Sequence, residues 1–312
     1  VAEADDERER MTAEKLAPGV WGVLATPLTP DGAAVDTESL ARQVEHYVRI
    51  GATGLTVLGV FGEAARLTPG ERRTVARTVA AAAPALPLVI GLSALDAEAA
   101  CAEAANVLDV LDRAPAGLMV QVGSPDPDAV VRQLTTVADR TGQGIVVQDY
   151  PVMSGVSIAT ADLVEAVRRV PAAVAVKSES APSPPAVATL AAGLDVPVFG
   201  GLGGTGLLDE LAVGSAGAMT GFSVPEGLIA CVTAFRDGGF AAAREAWLDY
   251  LPLVNFEFQA GIALALRKHS LVHRGLIASP AVRPPAAPAP EPLLPVLLEH
   301  LRRTPHALRV AS

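Results

Sequence analysis

Two patterns take turns along this chain. Short apolar runs with β-branched residues recur at 20–25, 54–59, 88–92, 117–122, 145–150, 173–177, 196–200 and 216–221. Between them lie longer Ala-rich segments of helical period, as at 36–50, 69–83, 126–140 and 161–170. Thr68 before Pro69 and Thr160 before Ala161 are residues of the kind that start helices, because a hydroxyl there accepts from the first free amides. Eight strands with a helix-sized gap after each of the first seven predict a parallel sheet. Eight is also the number that closes a barrel, so the expected fold is α/β, a (β/α)8 TIM barrel. An open doubly wound sheet is the alternative. After the eighth run come helical character over 240–272, a Pro/Ala-rich stretch over 280–292 and an apolar piece at 293–302. These predict extra C-terminal helices. The expected organisation is a charged extension at 1–17, a candidate for disorder, then the barrel with its following helices at 18–278. A Pro/Ala-rich segment and closing helix fill 279–312, with no second domain.

Composition narrows the function classes. The 312 residues suit one barrel, and half of them are apolar with only 4% aromatic, so the core must be built mainly from Ala, Val and Leu. A net charge of −10 without clustered basic residues excludes nucleic acid as a partner. Mean hydropathy is +0.37, yet the most apolar stretch, around 79–92, is cut by Pro84 and Pro87. No run reaches the roughly 18 residues of a membrane span, so no membrane partner is expected. Residues 2–10 are crowded with Asp, Glu and Arg, unlike a secretory signal, and Cys101 and Cys231 are too few for a disulfide framework. The expected location is the cytoplasm.

Lysine is scarce: Lys15, Lys177 and Lys268 are the three among 24 basic residues. Lys15 belongs to the charged start and Lys268 sits beside Arg267 in a helical stretch. Lys177 instead ends the apolar run 172–176, which places it at the C-terminal end of a central strand, where barrels carry their chemistry. A neutral lysine amine attacks carbonyls, but only about one in 2,500 is neutral at pH 7 unless apolar walls disfavour the charge. The plain alternative is a strand-end lysine reaching solvent or pairing with a carboxylate such as Glu179.

From Gly22 to Pro285 the sequence resembles the dihydrodipicolinate synthase / N-acetylneuraminate lyase family of class I aldolase barrels. Thr26-Pro27-Leu28 with Gly32 and Asp36 is similar to its opening strand and turn. Gly59-Val60-Phe61-Gly62-Glu63, with Leu67, Thr68, Glu71 and Arg72 behind it, resembles its Gly-Thr-Thr-Gly-Glu signature. Asp149-Tyr150-Pro151 with Gly155 stands at its Tyr-Asn-x-Pro segment, and Val176-Lys177-Ser178-Glu179 at its Schiff-base strand. Gly214-Ser215-Ala216-Gly217 with Pro225, and Val282-Arg283-Pro284-Pro285, complete the likeness.

The resemblance implies a Schiff base on Lys177, with no cofactor beyond that covalent imine and no metal. Its partner would be a small 2-oxo acid, and its assembly a homo-oligomer, dimer or tetramer. Departures from the pattern imply that the activity is not typical dihydrodipicolinate synthesis. Val60 and Phe61 replace two carboxylate-binding threonines, Gln148 replaces a relay tyrosine, and Met153 falls where an arginine would hold a dicarboxylate. A second tyrosine has no counterpart between Met119 and Pro125.

Strand side chains alternate, so Gln148 and Tyr150 share a face and Asp149 takes the other. Tyr150 is therefore a candidate proton shuttle, with Gln148 orienting a water or a substrate hydroxyl. Backbone amides from Val60 through Gly62 to Glu63 are candidates for the substrate carboxylate. Phe61 would favour a substrate with an apolar distal part. Gly201 and Met219, at the ends of strands seven and eight, complete the expected binding set.

Other motifs weigh less. Gly201-Leu202-Gly203-Gly204-Thr205-Gly206 has the form of a dinucleotide loop but follows the seventh strand rather than the first. A substrate carboxylate or phosphate is the better occupant. His269 and His273 have helical metal spacing without a third ligand, which favours an ordinary helix face. The expected function is a Schiff-base lyase or aldolase acting on pyruvate or a related 2-oxo acid. Alternatives are dehydration of a 2-keto-3-deoxy sugar acid by the same imine chemistry, a non-catalytic ligand-binding barrel, and, more remotely, a nucleotide-dependent enzyme.

Overall fold

In the computed structural model, which describes residues 14–308, the eight apolar runs pair in sequence order into one closed parallel barrel. The strands are β1 Gly19–Val23, β2 Gly54–Val57, β3 Leu88–Gly91, β4 Gly117–Gln121, β5 Ile145–Asp149, β6 Ala173–Ser178, β7 Val198–Gly200 and β8 Gly217–Thr220. β8 returns to β1, with Met219 beside Trp21, so no sheet edge remains and the open doubly wound arrangement is excluded. The acidic and basic run expected at the N-terminus lies outside the described residues as far as residue 13.

Each strand is buried on both faces. Val23, Val89, Met119, Val146, Phe199 and Met219 fill the barrel, while Leu55, Ile90, Leu118, Val147 and Val176 face the helices. Trp21 and Phe199 meet edge to face inside it, ring centroids 6.5 Å apart. β6 departs from simple alternation. Ala173 pairs with Ile145 but Ala175 with Val146, so Val174 is an extra residue, and both Val174 and Ala175 lie in the interior cluster. Strict alternation from the outward-facing Ala173 would send Lys177 toward the helices. The bulge resets the parity and turns Lys177 into the barrel.

Helices α1 Thr37–Arg49, α2 Pro69–Ala82, α3 Ala97–Leu108, α4 Pro127–Thr141, α5 Thr160–Arg168, α6 Ser183–Gly193 and α7 Leu207–Ala212 follow β1 to β7 in turn. Thr68 caps α2 as expected, in a reciprocal box with Glu71. Thr160 does not cap α5: it is already the first helical residue, and Ala159 before it has no side-chain acceptor.

After β8 come α8 Pro225–Trp247, α9 Leu251–Glu257, α10 Ala263–His273 and α11 Leu294–Arg303. The helical stretch expected over 240–272 is thus divided, with Gly261 at φ 82° between α9 and α10. Phe222, Trp247, Tyr250, Leu297 and Leu301 bury together and fasten these helices to the barrel. No helix among the described residues is long and apolar enough to cross a membrane.

The late Val282–Arg283 segment acts as a clamp on the loop after β2. Lys268 of α10 is wholly buried, with Nζ 2.5 Å from Glu63 and 2.7 Å from the Ala281 carbonyl. The Arg283 amide donates to Glu63 at 3.1 Å, and its guanidinium donates to both carboxylate oxygens of Glu71. The loop carrying Val60 and Phe61 is thereby fixed over the barrel mouth.

Candidate active site

At the C-terminal ends of the strands a cavity of about 360 Å³ opens, walled by Lys177, Glu179, Tyr150, Thr220, Phe61 and Arg267 among others. Lys177 is 5% exposed, and its Nζ lies 3.0 Å from Oε2 of Glu179. That oxygen also accepts from the Gln148 amide at 2.7 Å, and Oε1 accepts from the Leu202 backbone at 3.2 Å. Gly201 makes room for this carboxylate, since a Cβ there would stand 2.4 Å from Glu179 Cγ. The parallel register sets Gln148 beside Lys177, and Gln121 beside Gln148. The two amides border an adjoining space of about 150 Å³ under Val60 and Met153.

Arg267 faces the cavity from α10. Its guanidinium carbon lies 5.4 Å from the centre of the Phe61 ring, a cation–π arrangement. Nε and Nη2 are buried without a hydrogen-bond acceptor, although Glu257 stands 3.8 Å from Nε. Burial pushes the Arg267 guanidinium below its ordinary value, and Glu257 opposes that shift. Burial pushes Glu257 up, although Arg267 and hydrogen bonds from Ser223 and Ser270 pull the other way. Gly203 leaves the space that Arg267 uses, because a Cβ there would lie 2.1 Å from Nη2. The glycines of the 201–206 loop thus accommodate buried charged side chains, which is a different role from cradling a dinucleotide.

Of the residues singled out from the sequence, Lys177, Tyr150, Val60 and Phe61 line the main cavity together. Gln148 borders the adjoining space and holds Glu179. Gly62 is turned toward the backbone of Leu24 and Leu58, and its carbonyl accepts from Thr26 at 2.7 Å. The Glu63 amide is committed to the Val60 carbonyl at 3.1 Å. Gly201 lies beneath Glu179, and Met219 sits inside the barrel core, fully buried. Asp149 faces away from the cavity, where burial and the charge of Glu179 push its carboxyl up to about 6. The Tyr150 phenol is also raised, by burial and then by Glu179.

Glu179 was read from the sequence only as a carboxylate with which Lys177 pairs, which it does, and Arg267 was not read as part of the site. Glu179 had a visible signal, two residues past Lys177 and so on the same side of an extended chain. Arg267 had none, being one basic residue in a helix.

A buried amine thus faces a cavity at the C-terminal end of a closed barrel, the end at which such barrels carry their chemistry. The Dihydrodipicolinate synthetase family matches residues 17–302, and the chain belongs to it. It is accordingly an enzyme of that family. Dihydrodipicolinate synthase from Rhodopseudomonas palustris superposes with a TM-score of 0.84 at 28% identity, covering 93% of this chain and 99% of that one. L-2-keto-3-deoxyarabonate dehydratase of Azospirillum brasilense is 27% identical over 281 residues, 86% of this chain and 88% of the relative. Trans-O-hydroxybenzylidenepyruvate hydratase-aldolase of Pseudomonas aeruginosa is 33% identical over 108 residues. That match spans about a third of each chain, 32% of both.

Proposed function

We propose that Lys177 forms an imine with the 2-oxo group of pyruvate or a longer 2-oxo acid, and that the enzyme then makes or breaks a carbon–carbon bond or removes water. The observation that carries this reading is the Lys177 amine itself, buried at the wall of the barrel-mouth cavity with a carboxylate 3.0 Å away. A protonated imine withdraws electrons from C3, which is the common requirement of aldol cleavage and of dehydration. The names of the hydratase-aldolase and dehydratase relatives support the same pair of outcomes. Arg267, a cation on the cavity wall, is the group we assign to a carboxylate of the substrate, in place of the hydroxyls that Val60 and Phe61 lack. Phe61, Leu202, Phe258 and Leu264 make the remaining wall apolar, which suits a substrate whose distal part carries few hydroxyls. Dihydrodipicolinate synthesis is not the reaction this lining favours. A homo-oligomer, dimer or tetramer, is part of the proposal and is read by light scattering.

Borohydride reduction in the presence of pyruvate, followed by peptide mass spectrometry, tests the reading. A reduced pyruvyl adduct on Lys177 is expected. Folded protein that gives no adduct with pyruvate or with larger 2-oxo acids would overturn it.

A further inference from the structure

Imine chemistry needs a group that repeatedly takes and returns a proton beside the lysine nitrogen. Gln148 cannot do this, because an amide does not ionise in the accessible range. Tyr150 lines the same cavity, but burial and then the charge of Glu179 raise its phenol above the ordinary value, so it holds its proton more tightly. The group in contact with Nζ is Glu179, at 3.0 Å. Its carboxylate is fixed rather than free, held by the Gln148 amide on Oε2, by the Leu202 amide on Oε1 and by the space left at Gly201. It is 6% exposed, so bulk water does not compete freely for the proton.

We infer that Glu179 is the acid–base catalyst of this site, and that Gln148 acts through it as a positioning residue. This rests on the imine reading above and deepens it. Glu179 first takes a proton from the Lys177 ammonium, and the free amine attacks the substrate C2, forming the C–N bond as the carbonyl electron pair moves to oxygen. Glu179 returns that proton to the oxygen, then removes one from nitrogen. It gives this second proton to the hydroxyl as the C–O bond breaks, so water leaves and the protonated imine remains. The carboxylate, again charged, takes a proton from C3 to give the neutral enamine. Its proton then goes either to the oxygen of an incoming aldehyde as the new C–C bond forms, or to a departing C4 hydroxyl. Each step conserves protons and charge with no co-reactant besides substrate and water.

Exchange of the methyl protons of pyruvate in D2O, followed by NMR, reads enamine formation, while borohydride trapping at equilibrium reads the imine. Glu179→Gln should still give the Lys177 adduct within about threefold of the unaltered enzyme, whereas exchange should fall by about 100-fold or more. Exchange that persists within threefold would overturn the assignment, and so would adduct and exchange falling in step, which would mark Glu179 as merely holding the lysine. If Glu179→Gln does not fold, Glu179→Asp, which draws the carboxylate back by one methylene, should slow exchange at least about tenfold. Unchanged exchange in that variant overturns the assignment equally. Failure to trap any adduct in the unaltered enzyme is a separate result, because it removes the imine reading and this inference with it.

Discussion

At the scale of single residues, the cavity balances charges in a small space, and the balance is incomplete. Lys177 has Glu179, but Arg267 has a carboxylate only at 3.8 Å and donors with no acceptor. Buried donors without partners are costly, and a carboxylate of the substrate beside this guanidinium would offset part of that cost with opposite charge and charge-assisted bonds. Arg267→Met is therefore expected to raise KM for the 2-oxo acid by about 10–100-fold, from the roughly 1.5–3 kcal/mol such bonds supply. Imine formation at saturating substrate should survive. Steady-state kinetics read against trapping at high pyruvate check this, and an unchanged KM would count against the guanidinium as a carboxylate site. Lys177 was legible in the sequence because scarcity and strand-end position agree. The charged residues that share its cavity were less so. Glu179, two residues on, was legible only as an ion-pair partner, and Arg267 arrives from a helix 90 residues later, through a fold that no local pattern encodes.

At the scale of elements, every strand and the helices α1, α2, α4, α5 and α11 followed from the sequence pattern. Six of the eight strands were read too long at their C-terminal ends, whereas β6 runs one residue further, to Ser178, and β7 ends at Gly200 as expected. Leu24, Leu92 and Val122 are as buried as ladder residues and their amides still donate to Thr56, Met119 and Gln148, but each stands one residue past the last paired position of its strand. The β6 bulge was not legible at all, since Val174 and Ala175 are both apolar and suit either face. The turn from β2 into α2 shows how an element is tied to distant sequence. Glu71 both closes the cap on Thr68 and receives Arg283, and that guanidinium holds its carboxyl down at about 2. Because the folded value lies below the ordinary one, this carboxylate stabilises the fold fully above about pH 5 and loses that contribution as pH falls toward 2. Arg283→Met should cost about 2 kcal/mol at pH 7 in urea unfolding, and the difference from the unaltered protein should shrink steadily below pH 4.5. A penalty that stays constant down to pH 3 would show that the loss is one of packing rather than of charge.

At the scale of the whole molecule, the order of strands was readable because eight repeats of one unit leave few ways to bury eight apolar runs. What holds the mouth of the barrel in shape was not, because it depends on residues far apart in the chain. Lys268 is more deeply buried than Lys177, and it looked ordinary in the sequence beside its basic neighbour. Its partner Glu63 lies 205 positions earlier, also buried, in a left-handed conformation at φ 56° that the surrounding contacts hold. The scarce lysines thus mark two different uses of burial. Lys177 borders a cavity and has room for a substrate, whereas Lys268 is enclosed by Glu63 and the Ala281 carbonyl. Lys268→Met would leave Glu63 buried with Arg66 at 3.2 Å as its remaining cation, so a loss of about 3–5 kcal/mol is expected. Adding Glu63→Gln should recover part of it, since the uncompensated charge is then gone. The same double variant should still trap pyruvate on Lys177 wherever it remains folded. A single-variant penalty under about 1 kcal/mol, measured by denaturant unfolding, would mean that the C-terminal segment is held to the β2 loop by the Arg283 contacts and packing rather than by the Lys268–Glu63 pair.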